Sequence, residues 1–135
     1  MASNSRPGHL RMLWWGLTKR CPRCGRGQLF QRWFTMLEDC PRCRLHFERE
    51  PGYWTGAMAV NIAVTSASFG IGFVIALALT VPDVPVAPLL AIFVPAMIVL
   101  PIVFYPFSKT LWVAIDRAIL HQLDPQELRD VRRRR

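Results

Sequence analysis

Charge is missing from two long stretches of this chain. No Asp, Glu, Lys or Arg occurs from Pro51 to Pro82 or from Val84 to Ser108, although the 135 residues together carry a net charge of +8. Each run exceeds the roughly 20 apolar residues that an α-helix needs to cross the hydrocarbon of a bilayer. An ordinary soluble globule is thereby excluded, and what remains outside the runs is too small to bury much of a core. The absence of ionisable residues inside the runs also speaks against an ion or substrate path through the membrane. Histidine is scarce and scattered, at His9, His46 and His121. With no nucleophile and base in a convincing arrangement and no open metal site, no enzyme is expected. The first apolar stretch, within 9–20, is too short for a secretory signal, and no small-residue cleavage pattern follows it.

The link between the two runs has no lysine or arginine either. Ten basic residues precede Tyr53 (Arg6, Arg11, Lys19, Arg20, Arg23, Arg26, Arg32, Arg42, Arg44 and Arg49) and seven follow from Lys109 onward, which accounts for all 17. Basic flanks stay on the cytoplasmic side. This predicts a multi-pass protein of the plasma membrane with both termini in the cytoplasm and the loop around Asp83 outside. Topology explains the positive charge, so nucleic acid is not an expected partner, even though aromatic rings and arginines interleave between the cysteines. Pro82, Pro85 and Pro88 make the loop short and stiff. The predicted fold class is a membrane α-helical hairpin of two transmembrane helices, 53–81 and 87–108, joined by an outer loop at 82–86. A four-cysteine cytoplasmic zinc ribbon at 21–50 precedes the hairpin, after an N-terminal tail and interfacial helix at 1–20. An amphipathic cytoplasmic helix and basic tail at 109–135 follow it.

All four cysteines fall in the 21–50 module, as Cys21-Pro22-Arg23-Cys24 and Cys40-Pro41-Arg42-Cys43 with fifteen residues between Cys24 and Cys40. Two Cys-x2-Cys pairs at this separation have the spacing of a zinc site. A tight turn aims two sulfurs at one ion, and the second pair completes a tetrahedron with no open position, so the site builds structure and does not activate water. One zinc on Cys21, Cys24, Cys40 and Cys43 is the expected cofactor, stapling a segment too small to fold alone. A single iron suits the same thiolates and would make the protein an electron carrier. Two disulfides would require an oxidising compartment, contrary to the cytoplasmic placement.

Gly25 supplies the backbone freedom that a knuckle needs, whereas Arg44 holds the matching position after the second pair and makes the halves unequal. Arg23, Arg26, Arg42 and Arg44 are placed to offset the charge of about −2 on a zinc tetrathiolate. The aromatic-rich segment 28–36 predicts a strand or turn pair whose Leu29, Phe30, Trp33 and Phe34 form a miniature core over the metal, extended by Leu45 and Phe47. His46 lies near the second knuckle, but four cysteines leave it no vacancy, so a surface or supporting role is expected.

In 9–20, Leu10, Leu13, Trp14 and Leu17 recur at helical spacing. They predict a short helix that lies in the membrane interface, with Trp14 and Trp15 at headgroup level, or that packs on the cysteine module. In the first span Asn61, Thr65, Ser68 and Gly72 form a polar stripe, while Ala59, Ala63 and Ala67 with Ser66 and Gly70 form small-x3-small pairs that admit a neighbouring helix. The face carrying Asn61, Thr65, Ser66 and Gly70 predicts contact with the second span, a sister subunit or another membrane protein. Pro95, Pro101 and Pro106 predict a kinked second span whose freed carbonyls Asn61 or Thr65 can satisfy. Beyond it, Leu111, Ile115 and Ile119 form an apolar stripe, with Lys109, Asp116 and Arg117 placed away from it, which predicts an amphipathic continuation along the membrane surface or one packed on the ribbon. Asp124-Pro125-Gln126-Glu127 has the pattern of a helix start, and Arg132 to Arg135 form a basic tail suited to anionic lipid.

Cys21-Pro22-Arg23-Cys24-Gly25-Arg26-Gly27 followed by Leu29-Phe30, then Trp33-Phe34, and Cys40-Pro41-Arg42-Cys43 leading through Leu45 and Phe47-Glu48-Arg49-Glu50 to Gly52 together resemble a bacterial family, domain of unknown function 983. Gly56-Ala57 and Asn61 resemble its actinobacterial members. The resemblance covers about Leu17 to Leu120 and departs at Arg44, where members carry glycine. It implies a small zinc-ribbon membrane protein and, by the neighbourhood of some members to genes for cytochrome oxidase assembly, an accessory role in respiratory membrane complexes. The expected function is a non-catalytic interaction or assembly module. Thiol-redox or metal handling, and one-iron electron transfer, are the alternatives.

Overall fold

Long apolar runs without charge can satisfy their backbone only by coiling on themselves, and both do. In the computed structural model, which describes residues 8–120, helix α2 spans Trp54–Thr80 and helix α3 spans Val86–Ile115, after a short first helix, α1, at His9–Leu17. At a rise of 1.5 Å per residue, α2 and α3 are about 40 and 45 Å long, and both are long and apolar enough to cross a membrane. Their flanks are covered with exposed Ile, Val, Leu and Met side chains such as Ile71, Leu79, Ile92 and Ile98, as surfaces facing lipid require. The basic tail Arg132 to Arg135, the capping sequence Asp124 to Glu127 and His121 lie outside the described residues.

The two long helices run antiparallel in one register. Trp112 packs on Gly56, where a Cβ would overlap the indole ring. Asn61 meets Pro101, and Phe93 stacks edge-on against Phe69 and Phe73. Pro95, Pro101 and Pro106 lie inside α3 and withdraw the donors that the carbonyls of Ala91, Met97 and Ile102 would otherwise receive. Asn61 Nδ2 donates at 3.0 Å to the carbonyl of Pro101 itself, one residue short of the freed Ile102 carbonyl. Thr65 reaches no carbonyl of α3 and donates within α2, to Asn61 O at 2.7 Å. A short hydroxyl on a helix finds the carbonyl one turn back before it finds a neighbour.

Past the span, the structure departs from the amphipathic pattern. Helix α3 continues unbroken to Ile115 and passes into a π-helical turn at Asp116–Leu120. Asp116 and Arg117 are 2% and 1% exposed, whereas Ile119 is 60% exposed. The cysteine module sits on this side of the helix, so the face that sequence periodicity would turn to water is the covered one. Helix α1 packs antiparallel along the same end. His9 Nδ1 donates to Ala118 O at 2.6 Å, and Gly16 lies against Thr110, Leu111 and Ala114 so closely that a Cβ would not fit. Its buried face is Met12 and Gly16, and Leu10, Trp14 and Leu17 from the predicted stripe remain exposed. The helix lies with its axis along α3 and Trp15 against Gly25 of the first knuckle.

Asn61→Leu removes the one side-chain hydrogen bond described between α2 and the α3 backbone. Because Asn61 Oδ1 is buried without a partner, the substitution should loosen the hairpin by only about 0.6–1 kcal/mol, in the low part of the range for such bonds in membranes. Reversible unfolding in bicelles measures this, and unaltered stability would mean that the Asn61–Pro101 contact contributes nothing to the pairing.

Candidate metal centre

Each knuckle closes through the same backbone bonds. The Gly25 amide donates to Cys21 O and the Arg44 amide to Cys40 O, both at 2.9 Å, while Cys21 N–H bonds Arg26 O (2.8 Å) and Cys40 N–H bonds Leu45 O (3.0 Å). Gly25 and Arg44 both take left-handed backbone angles, with φ of 70° and 54°. The two halves are therefore equal in backbone, contrary to the expectation from Arg44. The turn dictates the conformation, and Arg44 accepts a state that costs a non-glycine residue about 1–2 kcal/mol. The ribbon between and after the knuckles has little sheet, with single antiparallel bridges at Phe30–Met36 and Asp39–His46.

These turns bring all four sulfurs within 4.8 Å of one another. Cys21 Sγ lies 3.6 Å from Cys43 Sγ, and Cys24 Sγ lies 3.6 Å from Cys40 Sγ, so each close pair joins one knuckle to the other. A tetrahedron of thiolates about 2.3 Å from a central ion has edges of about 3.8 Å, and the donor set fits it. The thiols are free, at separations well beyond the S–S bond length of about 2.05 Å. Cys21 and Cys40 are buried and Cys24 and Cys43 half-buried.

Crowding makes Cys21, Cys40 and Cys43 unequal. Hydrogen bonds from Cys21 and Cys43, supported by the knuckle amides of Cys43 and Arg42, hold the Cys40 thiol far below its ordinary range. Contacts with Cys40 and Cys43, followed by burial, push Cys21 up. For Cys43 the contact with Cys21 acts downward, but that with Cys40 and burial outweigh it, and the thiol is pushed up to about 12. A metal ion entering the cluster would displace the protons that the thiols carry.

Leu29, Leu45 and Phe47 are buried against Cys21, Cys40 and Val113 of α3, so the helix completes the core over the cluster. Trp33 and Phe34, expected in that core, are 53% and 46% exposed. The Gln31 amide closes a turn onto Thr35 O at 2.9 Å, which swings both rings outward, Phe34 to within 5.7 Å of Tyr105. His46 stands apart from the sulfurs, exposed, with Nδ1 2.8 Å from Asp39 Oδ1. Its carbonyl, however, accepts from Arg117 Nη2 at 2.8 Å.

That last bond belongs to a buried cluster that spacing did not reveal. Asp116 Oδ2 accepts from Tyr53 OH at 2.9 Å and lies 3.4 Å from Arg49 Nε and 3.7 Å from Arg117 Nε. Burial and the charge of Asp116 push the Tyr53 phenol upward, which keeps its proton available for donation. The available signal was positional: Arg49 and Tyr53 stand just before α2 and Asp116 and Arg117 just after the uncharged part of α3, so an antiparallel hairpin returns them to the same end.

Residues 30–116 match the model of a family described as Protein of unknown function (DUF983). The chain belongs to this family. The segment shared with DUF983 takes in the second knuckle, both long helices and Asp116, and begins after the first knuckle. No curated protein and no solved structure matches the chain.

A hydrogen bond from a charged donor contributes about 1.5–3 kcal/mol. Arg117→Ala removes the one donated to the His46 carbonyl and should therefore weaken the seating of the module on α3 by an amount of that order and leave the α2–α3 pairing in place. Amide exchange should accelerate across 40–47 and stay slow within α2. Unchanged exchange in the module would show that the cluster does not hold it.

Proposed function

We propose that this DUF983 protein is a membrane-anchored zinc ribbon without a catalytic step of its own, acting as an interaction, assembly or accessory subunit of a membrane complex. The observation that carries the reading is the closure of Cys21, Cys24, Cys40 and Cys43 around one point. An ion with four protein sulfurs has no position left for water or substrate, and its binding energy goes into folding. Zinc is the proposed ion, with iron as the alternative that the same donors accept. The positive flanks support an orientation with both termini in the cytoplasm and the hairpin in the plasma membrane. A respiratory oxidase complex is the assembly to which the family resemblance points.

The proposed partner surface is the small-residue face of α2. Ala63, Ser66, Ala67 and Gly70 are exposed on the hairpin, and the space beside Gly70 is open, so a helix of another membrane protein or of a second copy can approach closely. Asn61 and Thr65, grouped with this face from the sequence, are engaged inside the chain. A second reading, metal handling, is favoured by one observation: Cys24 and Cys43 are only half-buried, which leaves an exchange partner access to one sulfur of each knuckle.

Purified protein should contain one zinc per chain, and Cys40→Ser should abolish both the metal and the protected amides of the module without preventing insertion of the spans. Elemental analysis with absorption spectroscopy checks this. Iron with colour lost on reduction would assign the protein to electron transfer, and rapid loss of zinc to a mild chelator would favour the metal-handling reading.

Orientation has its own test. A cysteine substituted at Asp83 should react with a membrane-impermeant thiol reagent added to intact cells, and one at Ser3 should not. The reverse pattern would invert the topology.

A further inference from the structure

The loop between the knuckles exposes two large aromatic side chains that an isolated module would fold inward. The sequence around them is Gln31-Arg32-Trp33-Phe34-Thr35, and the backbone turn that closes it presents Trp33 and Phe34 on the surface. Their height along the molecule is determined by contacts with α3. Phe34 lies against Tyr105, and Lys109 Nζ donates to Phe34 O at 2.9 Å. Lys19 Nζ sits 4.4 Å from the centre of the Trp33 ring and 4.2 Å from that of Phe107. Trp54, the first residue of α2, comes to the same level, with its ring 4.9 Å from Lys109 Nζ. Five aromatic rings and two lysines therefore occupy one level, at the last turn of the uncharged run. Just beyond it toward the middle of α3, Ile102 and Val103 present the apolar surface of the span, 51% and 46% exposed.

Aromatic rings with a polar edge and lysines with long apolar stems are the side chains that sit at a boundary between hydrocarbon and water. We propose that the inter-knuckle loop is a membrane-dipping element, with Trp33 and Phe34 seated at the headgroup–acyl boundary of the leaflet that α2 and α3 leave at Trp54 and Tyr105. Arg32 on the loop and Arg20 after α1 are exposed, which suits an anionic lipid surface. The occupant is the bilayer itself, because Phe34 meets Tyr105 where the lipid-facing surface of α3 ends. The cysteine cluster is thereby held at a fixed height above the membrane from two sides, by the buried Asp116 cluster and by this loop. The proposal rests on the reading of α2 and α3 as membrane spans.

The test uses the full zinc-loaded chain, labelled with fluorotryptophan, in nanodiscs of phosphatidylcholine and phosphatidylglycerol. Co-elution with the disc reports the spans, independently of the loop. Fluorine NMR resolves the tryptophans, and a Trp33→Phe sample assigns the Trp33 resonance without altering the chain that is measured. A lipid carrying a nitroxide high on its acyl chain should broaden the Trp33 resonance several-fold more than a soluble gadolinium chelate does. Equal or greater broadening by the chelate would make the loop a solvent-exposed turn, and protection from both reagents would mean that protein covers it; either result overturns the proposal.

Discussion

Asp116 can remain 2% exposed only because one hydroxyl donor and two guanidinium charges from different parts of the chain converge there. Arg49 ends the cysteine module, Tyr53 leads into α2, and Arg117 follows it at the end of α3. Taking a carboxylate out of water costs several kcal/mol, and the cost is recovered only when the geometry is good and the remaining oxygens and protons are matched. This condition ties the arrangement of the whole molecule to one oxygen atom. The hairpin must close in the register that sets Trp112 on Gly56 for Tyr53 and Asp116 to meet, and the module must sit on α3 for Arg117 to reach the His46 carbonyl.

The metal-binding part follows from that seating as much as from its own turns. Two equal knuckles bring the sulfurs together, but the residues that cover them, Leu29, Leu45 and Phe47, also rest on Val113. The small module thus relies on α3 to complete its core.

Much of this was legible from the residues. The absence of charge over 51–82 and 84–108 marks two helices of membrane length, because no other short element satisfies its backbone in hydrocarbon, and the Cys-x2-Cys spacing brings the four sulfurs together through local turn geometry. What escaped depended on knowing which surface faces what. A helical stripe assumes water on the polar side, but α3 has the module there, so Asp116 and Arg117 are inside and Ile119 outside. Trp33 and Phe34 were assigned to the core because aromatic rings near a small site usually fill it, and here the loop turns them toward the level of Tyr105 and Phe107. The acceptor of Asn61 was missed by one residue, since the kink of a proline-rich helix is not readable from the positions of its prolines alone.

The seat at the end of α3 also has a consequence for the time at which the protein becomes complete. A chain is made from its N-terminus, at about 5–20 residues per second, so both knuckles and Phe47 emerge before either long helix exists, and Asp116 and Arg117 follow only after the hairpin has been synthesised. For several seconds the ribbon has its sulfurs but no helix to rest on. During that interval both knuckles are complete before the helix that seats them is made.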